Sequence, residues 1–402
     1  MKNKSILFVC QYFYPEKVSS AVLPFELSSE LAKYNYEIKA LVGYPHEYTE
    51  NRYVKKVENI NGVFVKRLKY LSFKRSKVLG RLINYFSFCI AVLFHHKYFK
   101  NIDFCISYTN PPLLPPIIAW LSKKYKFKYI FEIYDLYPDT AINAHMISEK
   151  SKITKMFNFL TNYALKYAYI IIVLSQECKN YLLQTRQLDS KKIEIIPNWY
   201  KQQNIELKTY PKKTLKILYG GNMGIMQDME TIYNTIINLK NNSKFEFIFA
   251  GHGTKKEELI NIIKENHITN CKIHDFLPKN EYDQLMDSVD FAFVSLEKFG
   301  VGLGSPSKLY GYLAKGIPVI AIIDSNTDIA KDINQYKNGI LINNGDYDCL
   351  VNGLNYFYKN QNSILNMHYN AIKLFKEKYT LEVITKQFKN ILEDRYEKEG
   401  TI

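Results

Sequence analysis

Short, nearly unbroken runs of Val, Ile, Leu and Phe alternate with longer helix-like stretches along almost all of the 402 residues. Such runs are too continuous for a sheet with one wet face, and they suit parallel strands covered on both sides. In the first half, strands are expected at 6–13, 37–44, 63–68, 103–108, 128–134, 169–175 and 193–197, with helices at 21–33, 114–123 and 150–167 among others. The pattern stops after Pro197-Asn198-Trp199, and residues 201–213 show no apolar period. That stretch reads as an interdomain linker. A second series then places strands at 215–219, 246–250, 271–276, 291–296, 318–323 and 339–342. Its helices are expected at 228–239, 255–266, 281–288 and 306–315, followed by a mostly helical tail.

The fold class expected is α/β, with two Rossmann-like doubly wound domains facing each other across a cleft. A chain of this length is about twice what one core organises. The domains are residues 1–200 and 214–380, and a helix at about 380–402 is a candidate to pack back on the first. Ligands of such sheets bind at the carboxyl ends of the strands.

Composition narrows the chemistry. The chain carries 54 Lys and Arg against 39 Asp and Glu, a formal +15, which attracts nucleic acid, an anionic bilayer or a phosphorylated small molecule. Six scattered cysteines form no C-x-x-C and have no His at zinc spacing. That argues against a disulfide scaffold or structural zinc and suits a reducing cytosol. No secretory signal is expected, because the apolar run after Ser5 is too short.

The second domain opens with a strand, Gly220-Gly221-Asn222-Met223-Gly224, and a helix. Glycines there permit a tight turn and close backbone approach, and a following helix start favours an anion. The spacing is not G-x-G-x-x-G, so a nicotinamide cofactor is disfavoured. Gly251-His252-Gly253 follows the next strand and lines the same edge. The sharpest segment is Phe299-Gly300-Val301-Gly302-Leu303-Gly304-Ser305-Pro306-Ser307-Lys308, a glycine loop entering a helix with Ser305 as N-cap and Pro306 at the first helical position. Its N–H groups and the Lys308 ammonium could converge on a diphosphate, or form an ordinary capped helix with a solvated lysine.

In the first domain, Tyr134-Asp135-Leu136-Tyr137-Pro138-Asp139 closes a strand. Asp135 is placed either to orient an acceptor hydroxyl or to cap the next turn. Asp346-Tyr347-Asp348 fits a magnesium pair or a helix cap. Residues 66–100 hold nine Lys and Arg and no acid, interleaved with aromatics. The apolar core of that segment is too short to span a bilayer. It suits a helix lying in the headgroup region, a buried helix with a basic flank, or a nucleic-acid patch. No nucleic-acid module signature accompanies it.

These positions resemble family 4 glycosyltransferases of the two-domain GT-B fold, most closely the fucosaminyltransferase branch that builds bacterial capsule and O-antigen units. The likeness is carried by Gln11-Tyr12-Phe13-Tyr14-Pro15-Glu16, Gly43-Tyr44-Pro45, Asp135-Leu136-Tyr137-Pro138-Asp139 and Ile196-Pro197-Asn198-Trp199. It continues through Gly221-Asn222-Met223-Gly224, Gly251-His252-Gly253, Pro306-Ser307-Lys308-Leu309-Tyr310 and Leu313-Ala314-x-Gly316-x-Pro318-Val319. The resemblance implies retaining transfer from a UDP-sugar, with no cofactor and no obligatory metal. By it, Gly221, Asn222, Gly224, Pro306, Ser307 and Lys308 serve the diphosphate, while Gly251, Gly253, Phe276 and Leu277 lie near the base. Two departures stand out. A carboxylate pair common in the family falls on Leu303 and Gly311, and a frequent Arg and Lys fall near Asn222 and Gln227 or Asp228. Glu297 is a candidate substitute.

The expected activity is transfer of an N-acetylated amino-deoxyhexose, with N-acetylfucosamine the first candidate, from UDP to a polyprenyl-diphosphate-linked sugar. Asp135 and Lys308 are the expected catalytic residues. The expected location is the cytoplasmic face of the plasma membrane, held peripherally to anionic lipid through residues 66–100, with no nucleic acid as partner. The rival readings are a sugar-nucleotide epimerase and a catalytically silent nucleotide-sugar-binding subunit.

Overall fold

The computed structural model describes residues 4–46, 49, 53–73, 78–206, 208–275 and 277–397. The chain divides into two compact units. The first comprises Met1–Leu174, Cys178–Pro197 and Leu381–Ile402, and the second comprises Ser175–Glu177 and Asn198–Thr380.

In the first unit the strands are β1 (Lys4–Cys10), β2 (Tyr36–Gly43), β3 (Val57–Ile60), β4 (Val63–Leu68), β5 (Phe104–Tyr108), β6 (Lys128–Ile133), β7 (Ile170–Val173) and β8 (Ile193–Ile195). They form one sheet in the order β3-β4-β2-β1-β5-β6-β7-β8. All pairings are parallel except β3 with β4. The antiparallel β3 is absent from the expected strands: Val-Glu-Asn-Ile is a half-polar edge with no residue fully buried, and it lacks the apolar run that marks its neighbours.

The helices of this unit are α1 (Ser19–Leu31), α2 (Val78–Phe94), α3 (Leu114–Tyr125), α4 (Asp139–Asn143), α5 (Lys152–Tyr167) and α6 (Gln176–Thr185). Strand order steps outward from β1 in opposite directions, so β1 and β5 flank the point where it reverses. Right-handed crossovers then place α1 on one face and α2, α3 and α5 on the other.

The second unit has β9 (Leu215–Asn222), β10 (Phe245–His252), β11 (Cys271–His274), β12 (Phe291–Ser295), β13 (Val319–Ile322) and β14 (Gly339–Ile342). They form an all-parallel sheet in the order β11-β10-β9-β12-β13-β14, reversing between β9 and β12. Its helices are α7 (Glu230–Asn238), α8 (Lys256–Glu265), α9 (Lys279–Ser288), α10 (Lys308–Ala314), α11 (Asp328–Tyr336), α12 (Tyr347–Lys359) and α13 (Asn362–Leu374). Alternate residues of the strands feed two separate cores. Ile217, Phe247, Phe293 and Ile320 pack on one side, and Leu218, Ile248, Val294 and Ala321 on the other. That double burial is what the unbroken apolar runs require.

The last helix, α14 (Leu381–Glu397), belongs to the first unit. It packs on α1, receives a hydrogen bond from Lys4 Nζ at the Leu392 carbonyl (2.9 Å) and accepts one from Tyr36 at Glu393 (3.0 Å).

Within the expected interdomain linker, 201–213, the side chains of Lys208, Tyr210 and Lys212 are fastened to the second unit. Lys208 Nζ donates to the carbonyls of Asp287 and Val289. Tyr210 and Lys212 both donate to Asp290, at 3.0 and 2.6 Å. The polar side chains are spent on a buried carboxylate and on carbonyls at the end of α9, so no apolar period is needed to hold them.

Candidate functional site

The reversal of strand order between β9 and β12 opens a crevice at the carboxyl edge of the second sheet. Strand β9 runs further than expected and takes Gly220, Gly221 and Asn222 into its end. Gly221 has φ +100°, a conformation that glycine adopts at little cost. The next strand end interlocks with it: Met223 N–H donates to the His252 carbonyl (2.7 Å) and Lys255 N–H to the Met223 carbonyl (2.9 Å). Gly253 has φ +139°, and a Cβ there would collide with the Met223 backbone. The two glycine turns are therefore one tied structure.

Surrounding side chains hold this rim. Gln227 accepts from Gly224 N–H (2.9 Å), and Lys255 Nζ reaches the Gln227 carbonyl (2.8 Å) and Glu297 (3.2 Å). Asp228 accepts from Thr231 N–H (3.0 Å) at the start of α7 and is itself gripped by Asn344 (2.8 Å). From α10, Tyr312 accepts from Gly220 N–H at 2.9 Å.

Lys308 stands one helical turn before Tyr312, on the same face of α10. Its Nζ is buried and has no hydrogen-bond partner among the described residues. It lies 3.6 Å from the centroid of the Tyr219 ring. A Cβ placed on Gly221 would be 3.8 Å from Lys308 Cε, so the ammonium is beside the glycine turn. Desolvation pushes its pKa down to about 7. A cation–π contact offsets part of that burial, but an orphaned ammonium beside open backbone is a group waiting for an anion.

The helix carrying Lys308 begins later than expected. Its N-cap is Ser307, in helical φ/ψ and making no side-chain cap bond. Ser305 is therefore not the N-cap and Pro306 not the first helical residue. The Pro306 carbonyl instead accepts from Leu309 N–H in a preceding turn. Pro306 is half-buried and Ser307 exposed at this entry. With α10 only seven residues long, the electrostatics of the site rest on Lys308 more than on a helix dipole. Leu277 packs against the second unit's core, while Phe276 lies outside the described residues. Leu303 is buried, and at Gly311 a Cβ would stand 3.5 Å from the Tyr200 ring, so apolar packing occupies both positions expected to lack carboxylates.

In the first unit, Asp135 sits just beyond β6, its N–H 3.4 Å from Thr109 Oγ1. The N–H groups of Thr140, Ala141 and Ile142 at the following turn are taken by the carbonyls of Leu136 and Pro138, not by Asp135. Its residue is solvent-accessible, yet desolvation raises its carboxyl above the ordinary value. Asp139 is structural: Arg186 at 2.5 Å and Tyr181 at 3.0 Å hold it.

Sequence reasoning missed a second feature here. At the β1/β5 reversal, Gln11 is fully buried with neither amide atom partnered, and Tyr108 stacks on Tyr134 with centroids 5.3 Å apart. Register puts Tyr108 opposite Glu132, whose buried carboxyl is pushed up to about 8 by desolvation. It also missed Tyr219 and Tyr312, whose roles depend on strand register and helix phase. Asp346 resolves as a cap, accepting from Cys349 N–H at 3.0 Å. Among the described residues no group of three or more His, Cys, Asp or Glu could hold a metal ion.

Residues 201–374, which contain the whole rim and Lys308, match the family model for glycosyl transferases group 1. The match lies within the second unit. The chain is also 24% identical over 245 residues to the probable glycosyltransferase WbjE of Pseudomonas aeruginosa, covering 58% of this chain. It spans 60% of the length of that relative. Among solved structures, sucrose-phosphate synthase from Thermosynechococcus elongatus superposes with a TM-score of 0.73 at 13% identity, over 98% of this chain and 99% of that one. Anabaena Alr3699/HepE in complex with UDP and glucose superposes with a TM-score of 0.70 at 16% identity, over 98% and 100%. At these identities the likeness is one of fold, and the fold is GT-B.

Proposed function

We propose that this protein is a glycosyltransferase that takes its sugar from a UDP-sugar and needs no metal. The observation that carries the reading is the orphaned Lys308 ammonium against the interlocked glycine turns of a glycosyl transferases group 1 domain. A diphosphate laid along Gly221 to Gly224 would approach the glycine backbone closely and meet this charge. HepE supports the choice of nucleotide, since its crystal structures hold UDP and UDP-glucose.

In the proposed reaction the bond between the sugar's anomeric carbon and the β-phosphate oxygen breaks, and negative charge grows on UDP. Lys308 stabilises that charge where it develops. An acceptor hydroxyl attacks on the face that UDP leaves, forming the new glycosidic bond with retention, and its proton goes to the departing diphosphate. Asp135, just beyond β6 in the first unit, is the residue proposed to orient an acceptor hydroxyl. For the finer reading, the donor is UDP-N-acetylfucosamine or a related N-acetylated amino-deoxyhexose, and the acceptor is a polyprenyl-diphosphate-linked sugar of surface polysaccharide synthesis. The motif resemblance from Gln11 to Val319 supports this. Glu297, half-buried beside Lys255 at the rim, is the proposed contact for sugar hydroxyls in place of Leu303 and Gly311.

One observation favours a second reading. The apolar residues at both expected carboxylate positions suit a silent subunit that binds UDP without turnover. The test is incubation with a panel of UDP-sugars and a short polyprenyl-diphosphate sugar, with and without EDTA, read by mass. A product one amino-sugar unit heavier in both conditions is expected. UDP-sugar binding without transfer, or an isomerised donor, would overturn the proposal.

A further inference from the structure

Gln11 leaves β1 at the point where the strand order of the first sheet reverses. It is fully buried, and neither Oε1 nor Nε2 has a hydrogen-bond partner among the described residues. An amide buried in that state costs free energy, and such groups are normally satisfied by protein, water or ligand. The neighbouring polar side chains are already engaged. Thr109, one residue beyond β5, accepts from the N–H groups of Tyr134 and Asp135 at 3.3 and 3.4 Å. Ser107 pairs with Tyr129 at 2.9 Å, and Tyr70 with His46 at 2.8 Å.

The main chain at Gln11 is fixed. Gly43, at the end of β2, donates its N–H to the Gln11 carbonyl at 3.1 Å. A Cβ on Gly43 would stand 2.5 Å from that oxygen and 2.6 Å from the Tyr70 ring. The bare glycine lets β2 and Tyr70 close on this backbone. Gln11 therefore starts from a fixed point in buried surroundings, and its amide needs little ordering when it binds.

Amide chemistry selects the ligand. One end of the side chain accepts and the other donates, so satisfying both takes a group that also donates and accepts. A phosphate or carboxylate only accepts, and it would leave Oε1 facing an anion. A sugar hydroxyl, or two neighbouring ones, satisfies both ends. The carboxyl edge at a reversal is also where parallel sheets take ligands. We infer that Gln11 is a specificity-determining residue that reads hydroxyl groups of the acceptor's sugar and not its diphosphate. The inference rests on the proposed transfer to a lipid-linked sugar and adds which part of that acceptor Gln11 recognises.

The experiment is calorimetry of the full chain and of Gln11→Met without donor. The probes are short polyprenyl-diphosphate monosaccharides and the same polyprenyl diphosphate lacking a sugar. Gln11→Met should bind the best sugar-bearing probe about ten- to a hundredfold more weakly. The sugar-free probe should bind both proteins alike, and UDP affinity should be unchanged. The melting temperature of Gln11→Met should equal or exceed the parent value, because an apolar chain replaces an unpaired amide. On the parent, removing the sugar hydroxyls one at a time should find a position whose loss matches that of Gln11→Met and adds little to it. The inference is overturned if the sugar-bearing probe binds both proteins equally, if the sugar-free probe loses as much, or if no single hydroxyl matters to the parent. It is also overturned if the parent prefers no sugar-bearing probe to the sugar-free one. Sugar binding that depends on Gln11 in a protein that transfers nothing would reject the transferase reading and uphold this one. Transfer in which Gln11→Met keeps the parent's acceptor KM would do the reverse.

Discussion

Lys308 is a buried lysine whose Nζ has no hydrogen-bond partner among the described residues. Its pKa of about 7 means that the free protein holds it partly neutral at physiological pH. The unfolded chain keeps that proton to far higher pH, so the cost of burying the charge is full below pH 7 and declines as pH rises above it. Lys308→Met should therefore raise the melting temperature of the ligand-free protein, by roughly 2–4 °C for each kcal/mol regained, and most strongly below pH 7. Calorimetry on the same variant should show UDP affinity reduced about ten- to hundredfold. In the parent, UDP binding should take up a proton, and affinity should fall as pH rises from 7 to 9. A variant that melts lower and binds UDP unchanged would remove Lys308 from the site. Lys308 was legible in the sequence as a lysine beyond a glycine loop, because residue type and spacing suffice for that. Its burial over Tyr219 was not legible, since the pairing joins residues 219 and 308 through the sheet.

Among the elements, the strands were the most readable. Continuous Val, Ile and Phe runs mark β1, β5, β7 and β12 because both faces of each are buried. The edge strand β3 escaped because its residues alternate between half-buried and exposed. The start of α10 was misplaced because Ser305-Pro306 has the chemistry of a helix entry while the backbone spends those residues on a turn. The glycine turns were readable as turns, but their interlocking was not. That interlocking is measurable. Gly253→Ala puts a side chain at φ +139° against the Met223 backbone, whereas Gly345 has φ +87° with nothing within 4 Å of its added Cβ. Gly345→Ala should cost about 1 kcal/mol of stability from backbone strain alone. Gly253→Ala should cost about 1–3 kcal/mol and also weaken UDP binding, as read by denaturant titration with and without UDP. Equal behaviour of the two variants in both assays would show that the turns do not act as one rim.

At the scale of the whole molecule, each unit repeats one design. In each sheet the strand order reverses, and a buried polar group with no partner among the described residues lies at the carboxyl edge of that reversal, Lys308 Nζ in the second unit and the Gln11 amide in the first. The likeness to GT-B structures extends over 97–98% of the chain for sucrose-phosphate synthase and HepE. The central claim is that UDP occupies the rim built from β9, β10 and the entry to α10. Hydrogen–deuterium exchange of the full chain with and without UDP tests it most directly. The account predicts slowed exchange confined mainly to residues 220–224, 251–253 and 305–309, and loss of that protection in Lys308→Met. Protection that leaves these three segments unchanged and appears elsewhere would contradict it.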